Sequence, residues 1–159
     1  MRKMLMIACL LSFATMCGCR TAPTPEERAE QGNALAQYYL GHCYFMGEGV
    51  AQDMAEAVKW WRKAAEQGNV LGQDEIAWCY FTGKGVAQDK AEAVKWWRMA
   101  AEQGYAPAQY NLGRCYASGN GVTQDKAEAI KWFRKAADQG NGLAKDALKK
   151  LEQRGGKVP

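Results

Sequence analysis

The sequence is poor in the side chains that most enzymes use for catalysis. It has a single histidine, His42, and after residue 19 its only serine is Ser118. His42 adjoins Cys43, but neighbouring residues of a helix point about 100° apart, so the two cannot form a nucleophile–base pair. The S-x-x-K motif of lactamase-type enzymes is also missing. These absences predict a protein without catalytic activity and without a cofactor.

Metal ligands and a charge of one sign are lacking as well. No C-x-x-C spacing occurs, and no second histidine could complete a ligand set, so we expect no metal site. The formal net charge is +4. Without Arg2 and Lys3, which lie in a predicted signal segment, 19 basic residues face 17 acidic ones, which gives +2. Since the basic residues form no stripe, nucleic acid is excluded as a partner.

The first 19 residues have the pattern of a signal peptide. A basic start precedes the apolar run Met4–Met16, which is short for a membrane span. Cys19 follows a small residue, Gly18, and the segment resembles a bacterial lipoprotein signal with Cys19 as the lipidated residue. Met16 and Cys17 depart from the usual residues before that cysteine. We therefore expect a lipid anchor facing the periplasm; an ordinary secreted protein and an uncleaved anchor are the alternatives.

What the sequence has in abundance is internal repetition. The run A-E-Q-G stands at Ala29–Gly32, Ala65–Gly68 and Ala101–Gly104, a period of 36 residues, and A-D-Q-G follows at Ala137–Gly140. The motifs G-x-G-V, Q-D, A-E-A and K-W recur with it. A chain built from one unit repeated in series is a stacked array, and such arrays typically present a binding surface.

Each unit contains two helical patterns. In the first unit, helix A is predicted over Ala34–Met46, with Asn33 as its N-cap and Gly47 as its stop. Helix B is predicted to begin after Asp53, and Glu56 lies three residues on, as in a capping box. The same D-x-x-E pattern and a closing glycine recur in the later units: Asp89/Glu92, Asp125/Glu128, Gly68, Gly104 and Gly140. The G-x-G stretches lack a preceding strand, so they are helix–helix turns rather than phosphate loops.

Recurring aromatic and cysteine residues predict the core. The pair Trp60/Trp61 on the apolar face of helix B returns one and two units later: Trp96/Trp97 and Trp132/Phe133. Cys43, Cys79 and Cys115 share one position of helix A, and three cysteines cannot all pair. Equivalent positions of stacked helices lie about 10 Å apart, whereas a disulfide needs Cα atoms within about 7 Å. We therefore expect buried thiols; a redox role for them stays open.

The ladder A-Q-Y-x-L-G-x-x-Y-x-x-G-x-G-V-x-x-D-x-x-x-A-x-x-W-x-x-K-A-A spans Ala36–Ala65 and recurs over Ala108–Ala137. This ladder resembles the Sel1-like repeat (SLR) family, a relative of the tetratricopeptide repeat. In the middle unit Gly72, Asp74 and Ala77 replace Ala, Tyr and Gly. The resemblance implies an all-α solenoid of antiparallel helix pairs, stacked into a right-handed superhelix with helix A on the concave side.

The ends of the chain have the pattern of array termini. Thr24 and Glu27 flank a proline as the capping box of a short helix. At the other end, an apolar stripe predicts a capping helix: Leu143, Ala147, Leu148 and Leu151. Lys149 and Glu152 stand where earlier units have Gly or Ala and Tyr. The predicted divisions are 1–19 signal peptide, 20–28 tether and short helix, 29–64, 65–100 and 101–136 repeats, 137–153 capping helix, and 154–159 tail.

Comparison of the three helices A separates positions whose residue recurs or nearly recurs in every unit, the kept positions, from positions whose residue varies. Structural positions must recur in a repeat protein, whereas recognition positions are free to differ. The variable arc also includes the adjacent acids Asp74 and Glu75, which we interpret as partner contacts. Trp78 and Arg114 are residue types favoured at binding hot spots. The candidate binding residues are Tyr39, His42, Met46, Glu75, Trp78, Thr82, Asn111, Arg114 and Ser118. The alternative is that this arc is merely solvated.

The sequence thus predicts a monomeric, non-catalytic scaffold or adaptor that binds a protein or peptide partner on helix A. Its contact with the membrane is expected through the lipid anchor alone. An immunity protein that neutralises a toxin in the periplasm is the first alternative, and a cell-wall hydrolase is the second. The partner, and which membrane holds the anchor, do not follow from the sequence.

Overall fold

A computed structural model describes residues 23–155, and within them every regular element is a helix. The predicted helix A bounds are confirmed, and each helix packs against the next along the chain, as an α-solenoid requires. The helices are α1 (Pro25–Glu30), α2 (Ala34–Met46), α3 (Met54–Glu66), α4 (Val70–Thr82), α5 (Lys90–Glu102), α6 (Ala106–Ser118), α7 (Lys126–Asp138) and α8 (Gly142–Gly155). None of these helices is long and apolar enough to cross a bilayer. The predicted signal segment and Cys19 lie outside the described residues.

The predicted caps set the helix ends. The Asn33 side chain accepts a hydrogen bond from the backbone N–H of Ala36 at 2.9 Å, and α2 ends at Gly47 in the left-handed region, with φ of 78°. Thr24 and Glu27 form both halves of the predicted capping box, with bonds of 2.9 and 3.2 Å. Side-chain caps of this kind are worth about 1 kcal/mol each. Asn69 caps the second helix A in the same way, whereas the third begins at Tyr105 without a side-chain cap.

Only one of the two hydrogen-bond arrangements of the capping box predicted for helix B is present. Asp53 accepts bonds from the N–H groups of Ala55 and Glu56, as expected. Glu56 does not reach back, because the N–H of Asp53 already donates to the carbonyl of Tyr44 at 2.9 Å. The Glu56 carboxylate pairs with Lys59 instead, at 2.5 Å. The Q-D motif thereby fastens the loop to the end of helix A.

The second glycine of the G-x-G turn packs against the helix B of the preceding unit. A Cβ on Gly121 would overlap the backbone carbonyl of Lys90, the first residue of α5. Gly49 has nearly the same φ, +73° against +74°, but nothing lies within 4 Å of its Cβ position. The short α1, which precedes the first unit, does not reach this place. The turn is thus also an inter-unit contact.

In the first two units the two tryptophans of helix B differ in burial, which corrects the prediction that both are core; in the third unit Trp132 and Phe133 are both buried. Trp61 is 1% exposed and lies against Gly41, so closely that a Cβ there would be 2.6 Å from its Cδ1 atom. Its indole N–H donates to the carbonyl of Tyr38 at 3.2 Å. Trp60 is half-buried, and the Lys63 ammonium lies 3.9 Å from its ring centroid. Trp60 therefore covers the edge of the core rather than filling it.

A buried glutamine in each helix A connects three consecutive helices. The Gln37 amide donates to the carbonyl of Ala29 at 3.0 Å and accepts a bond from Gln67 at 2.7 Å. The equivalent residues repeat both bonds: Gln73 with Ala65 and Gln103, and Gln109 with Ala101 and Gln139. This ladder explains the recurrence of A-E-Q-G, whose alanine carbonyl and glutamine amide are its outer members.

Two further predictions need correction. Leu143 is 61% exposed, while Ala144 is fully buried, so the apolar stripe of α8 begins one residue later than expected. Leu143 is equivalent to Leu35 of the first unit, which is also exposed. The packing of α8 on the array therefore sets its rotation and turns this position outward. Cys79 and Cys115 are buried as predicted, but Cys43 is only half-buried. All three thiols are free, and burial raises the pKa of Cys79 to about 12.

Candidate partner-binding face

The kept and variable arcs of helix A point to different surroundings. On α2, Ala36, Gln37, Leu40 and Gly41 are buried. On the other side, Tyr39 is 55% exposed. Of the nine candidate residues, five are exposed, namely Tyr39, Met46, Thr82, Arg114 and Ser118. Four are half-buried, namely His42, Glu75, Trp78 and Asn111. We refer to these nine residues as the helix A face.

Aromatic rings make this face continuous from the first unit to the second. Tyr38 packs edge-on against Tyr39, with 5.3 Å between ring centroids, and His42 lies 6.2 Å from Phe45. Phe45 in turn meets Trp78 of α4 edge-on at 6.5 Å. Exposed aromatic and methionine side chains are typical of recognition surfaces. Tyr38 and Phe45 adjoin the helix A face by these contacts, although neither is among its nine residues.

In the middle unit, Asp74 has a structural role that its interpretation as a partner contact did not include. Its carboxylate accepts a bond from the indole N–H of Trp97 at 2.9 Å. The equivalent Trp61 donates to a backbone carbonyl and lies on Gly41, whereas the middle unit has Ala77 at the glycine position, buried in one cluster with Trp97. The replacements at positions 74 and 77 therefore act together: the alanine occupies space beside the indole, and the aspartate supplies its acceptor.

Glu75 is a half-buried carboxyl group without a basic partner. Within residues 23–155 the ion pairs are exposed pairs on helix B, Lys59–Glu56, Lys95–Glu92 and Lys131–Glu128. Burial, and to a lesser degree the charge of Asp74, raise the pKa of Glu75 to about 7. Burial and then the charge of Glu75 raise the pKa of Tyr38, whereas burial and then the charge of Asp74 raise the pKa of Tyr105, with Glu75 a smaller cause.

We expect Glu75 to make stability fall as pH rises. Its folded pKa of about 7 lies above the ordinary 4.5, so the folded state holds the proton more tightly. The resulting stabilisation is complete below pH 4.5 and is lost as pH rises through 7. Urea unfolding between pH 5 and 8 should show this loss in the wild type and a flatter profile in Glu75→Gln. Glu102→Gln, an exposed control, should keep the wild-type slope; equal slopes in all three would contradict the assignment.

The described residues offer little for catalysis or metal binding. Within residues 23–155 no group of three or more His, Cys, Asp or Glu side chains is arranged to hold a metal ion. His42 contacts Tyr38 and Phe45 rather than the thiol of its neighbour. What the face presents is aromatic rings, amides, hydroxyls and isolated charges. Such an arrangement suits recognition of another molecule's surface.

Solved structures similar to this chain are repeat proteins. A protective antigen of uropathogenic Escherichia coli strains, which displays an SLR fold, is 46% identical over 82% of this chain, with a TM-score of 0.81. The chain spans only 28% of that protein's length. A Sel1 repeat protein from Oxalobacter formigenes is 40% identical over 79% of this chain and 95% of its own, with a TM-score of 0.75.

Cysteine rich protein B of Helicobacter pylori shares the fold at 21% identity, covering 80% of this chain and all of its own, with a TM-score of 0.60. No curated protein matches the sequence. The family model for the Sel1 repeat matches residues 34–69, 70–105 and 106–141, so each of its units is one helix A followed by one helix B. Sel1 repeat proteins generally mediate protein–protein interactions and are generally not enzymes. The chain belongs to the Sel1 repeat family.

Proposed function

We propose that this protein is an interaction scaffold of the bacterial envelope that binds a partner protein or peptide on its helix A face. One observation carries the proposal. The positions that differ between units coincide with the outward side of helix A, where Tyr39 and Met46 are exposed and Trp78 is half-buried. A tolerant, solvated surface would not need such side chains, because exposed aromatic and methionine residues add to the apolar area in contact with water.

Partner recovery from envelope extracts should depend on this face. Trp78→Ala and Arg114→Ala are each expected to reduce the recovered partner about tenfold, the effect of losing roughly 1.4 kcal/mol at a hot spot. Met99→Ala is the matched control, since Met99 is 43% exposed but lies on helix B. Quantitative mass spectrometry of pull-downs measures the ratio. Equal recovery by all four proteins would exclude the helix A face as the binding surface.

The envelope location rests on the signal pattern that ends at Cys19. Cells grown with radioactive palmitate should label the wild type, and Cys19→Ala should abolish the label. Cys17→Ala is the control and should keep it, because bulky Met16 precedes that cysteine and small Gly18 precedes Cys19. Label that persists in Cys19→Ala would refute the anchor.

A further inference from the structure

A cavity of about 200 Å³ opens on the helix A face between the second and third units. Its lining combines three aromatic rings with four polar side chains: Phe81, Trp97, Phe133, Asn111, Arg114, Ser118 and Asn120. Sites for drug-sized ligands measure about 300–1,000 Å³, whereas a cavity of about 150 Å³ holds one benzene. The size therefore suits a single side-chain ring rather than a cofactor.

The cavity exists because two aromatic positions change in the third unit. Trp78 occupies the equivalent place one unit earlier, where its indole packs edge-on against Phe45 at 6.5 Å between centroids. At that position the third unit has Arg114, whose guanidinium carbon lies 5.7 Å from the ring centroid of Tyr110 instead. Phe133 also stands where earlier units have the larger Trp. The space that an indole fills in the second unit is thus open in the third.

The edge of the cavity is positively charged. Arg114 is exposed, and the Lys90 ammonium lies 5.5 Å from the ring centroid of Phe81 and 3.2 Å from the Asn120 amide oxygen. Neither cation belongs to an ion pair within residues 23–155. Burial raises the pKa of the Cys115 thiol, and the charges of Arg114 and Lys90 lower it to a lesser degree.

We propose that this cavity receives one aromatic side chain of the partner, with a carboxylate beside it that pairs with Arg114 and Lys90. The ring would pack on Phe81 and Phe133 as Trp78 packs on Phe45. The inference rests on the proposed function and gives the partner a chemical class: a peptide segment in which an aromatic residue adjoins an acidic one. A buried ring supplies most of the affinity, and a charge-assisted bond to arginine adds orientation.

The cavity can be probed without knowing the partner. 3-Phenylpropionate carries a ring and a carboxylate, and 3-phenylpropionamide carries the same ring without the charge. In an NMR titration of the purified protein, the carboxylate should bind about fivefold more tightly than the amide, the range of an exposed ion pair. The shifts should centre on Cys115 and Phe133. Equal binding of the two probes, or shifts confined to other units, would overturn the proposal.

Variants of Arg114 separate the ring from the charge. Arg114→Trp should fill the cavity as Trp78 fills its equivalent, and weaken 3-phenylpropionate binding at least about tenfold. Arg114→Gln should keep ring binding while the preference for the carboxylate falls to about twofold, because only Lys90 remains to pair with the carboxylate. Arg134→Gln, an exposed arginine on α7, is the control and should behave as the wild type. Wild-type binding by Arg114→Trp would refute the site.

These outcomes are independent of the pull-down. Failure of the probe to bind, together with loss of partner recovery in Trp78→Ala, would reject the cavity as a ring pocket and leave the helix A face as the binding surface. Binding of the probe together with equal recovery by every pull-down variant would reject the proposed function and retain the cavity's chemistry.

Discussion

Trp61→Ala should lower the free energy of unfolding by about 4 kcal/mol, as is typical when a fully buried tryptophan is truncated. Trp61 is 1% exposed, covers Gly41 and donates its N–H to the carbonyl of Tyr38. The substitution leaves both a cavity and a carbonyl without that bond. Since domains of this size are stable by only about 5–15 kcal/mol, the loss should be plain in urea or thermal unfolding.

The adjacent Trp60→Ala is the matched control. It removes the same side chain from the same helix, but Trp60 is half-buried and covers the edge of the core. We expect a cost of about 1–2 kcal/mol, in proportion to the smaller area returned to water. A cost for Trp60→Ala equal to that for Trp61→Ala would contradict the division of the pair into a core residue and a covering residue.

Gly121→Ala should lower the free energy of unfolding by about 2–5 kcal/mol, the sum of two costs. A non-glycine residue in the left-handed region costs about 1–2 kcal/mol. Relief of a Cβ overlap with the Lys90 carbonyl requires movement of the turn or of α5, and overpacking typically costs about 1–3 kcal/mol. Gly121 contacts no residue of the helix A face. Its effect on stability is measured by equilibrium unfolding in urea.

Gly49→Ala isolates the conformational part. Its φ of +73° matches the +74° of Gly121, yet its Cβ would point into open space. We expect a loss of about 1–2 kcal/mol from the left-handed backbone alone. The difference between the two variants then measures how tightly one unit's turn is seated on the preceding helix. Identical losses would mean that the turn yields freely, and that it contributes little to stacking.

The ends of the helices could be predicted from the sequence because they are local. Asn33, Gly47 and Asp53 act within a few residues of themselves, and each occupies its predicted place. The predicted bond from the N–H of Asp53 to the Glu56 side chain does not form, for a non-local reason. That N–H donates instead to the carbonyl of Tyr44, nine positions earlier in the chain. The predicted burial of Leu143 was wrong for a similar reason, since the packing of α8 on the array sets the rotation of the helix.

The sequence predicted which residues form the candidate face, but not how deeply they are buried or what they contact. Comparison of the units separated Leu40 from Tyr39 correctly into buried and exposed, because burial constrains what may recur. The depth of Glu75 and the bond of Asp74 to Trp97 depend on neighbours from adjacent units, which a single helix pattern does not contain. The cavity depends on where the Arg114 side chain lies, and no spacing in the sequence records that.

The glutamine ladder gives every junction of the array the same pair of hydrogen bonds. Gln109 reaches back to Ala101 as Gln73 reaches back to Ala65, so the exit of any unit fits the entry of any other. Excision of residues 70–105 would bring Gln109 to the carbonyl of Ala65, with no buried amide orphaned. Gene duplication or loss in steps of one unit therefore changes the length of the array and the order of its outward side chains, while the joints stay as they are.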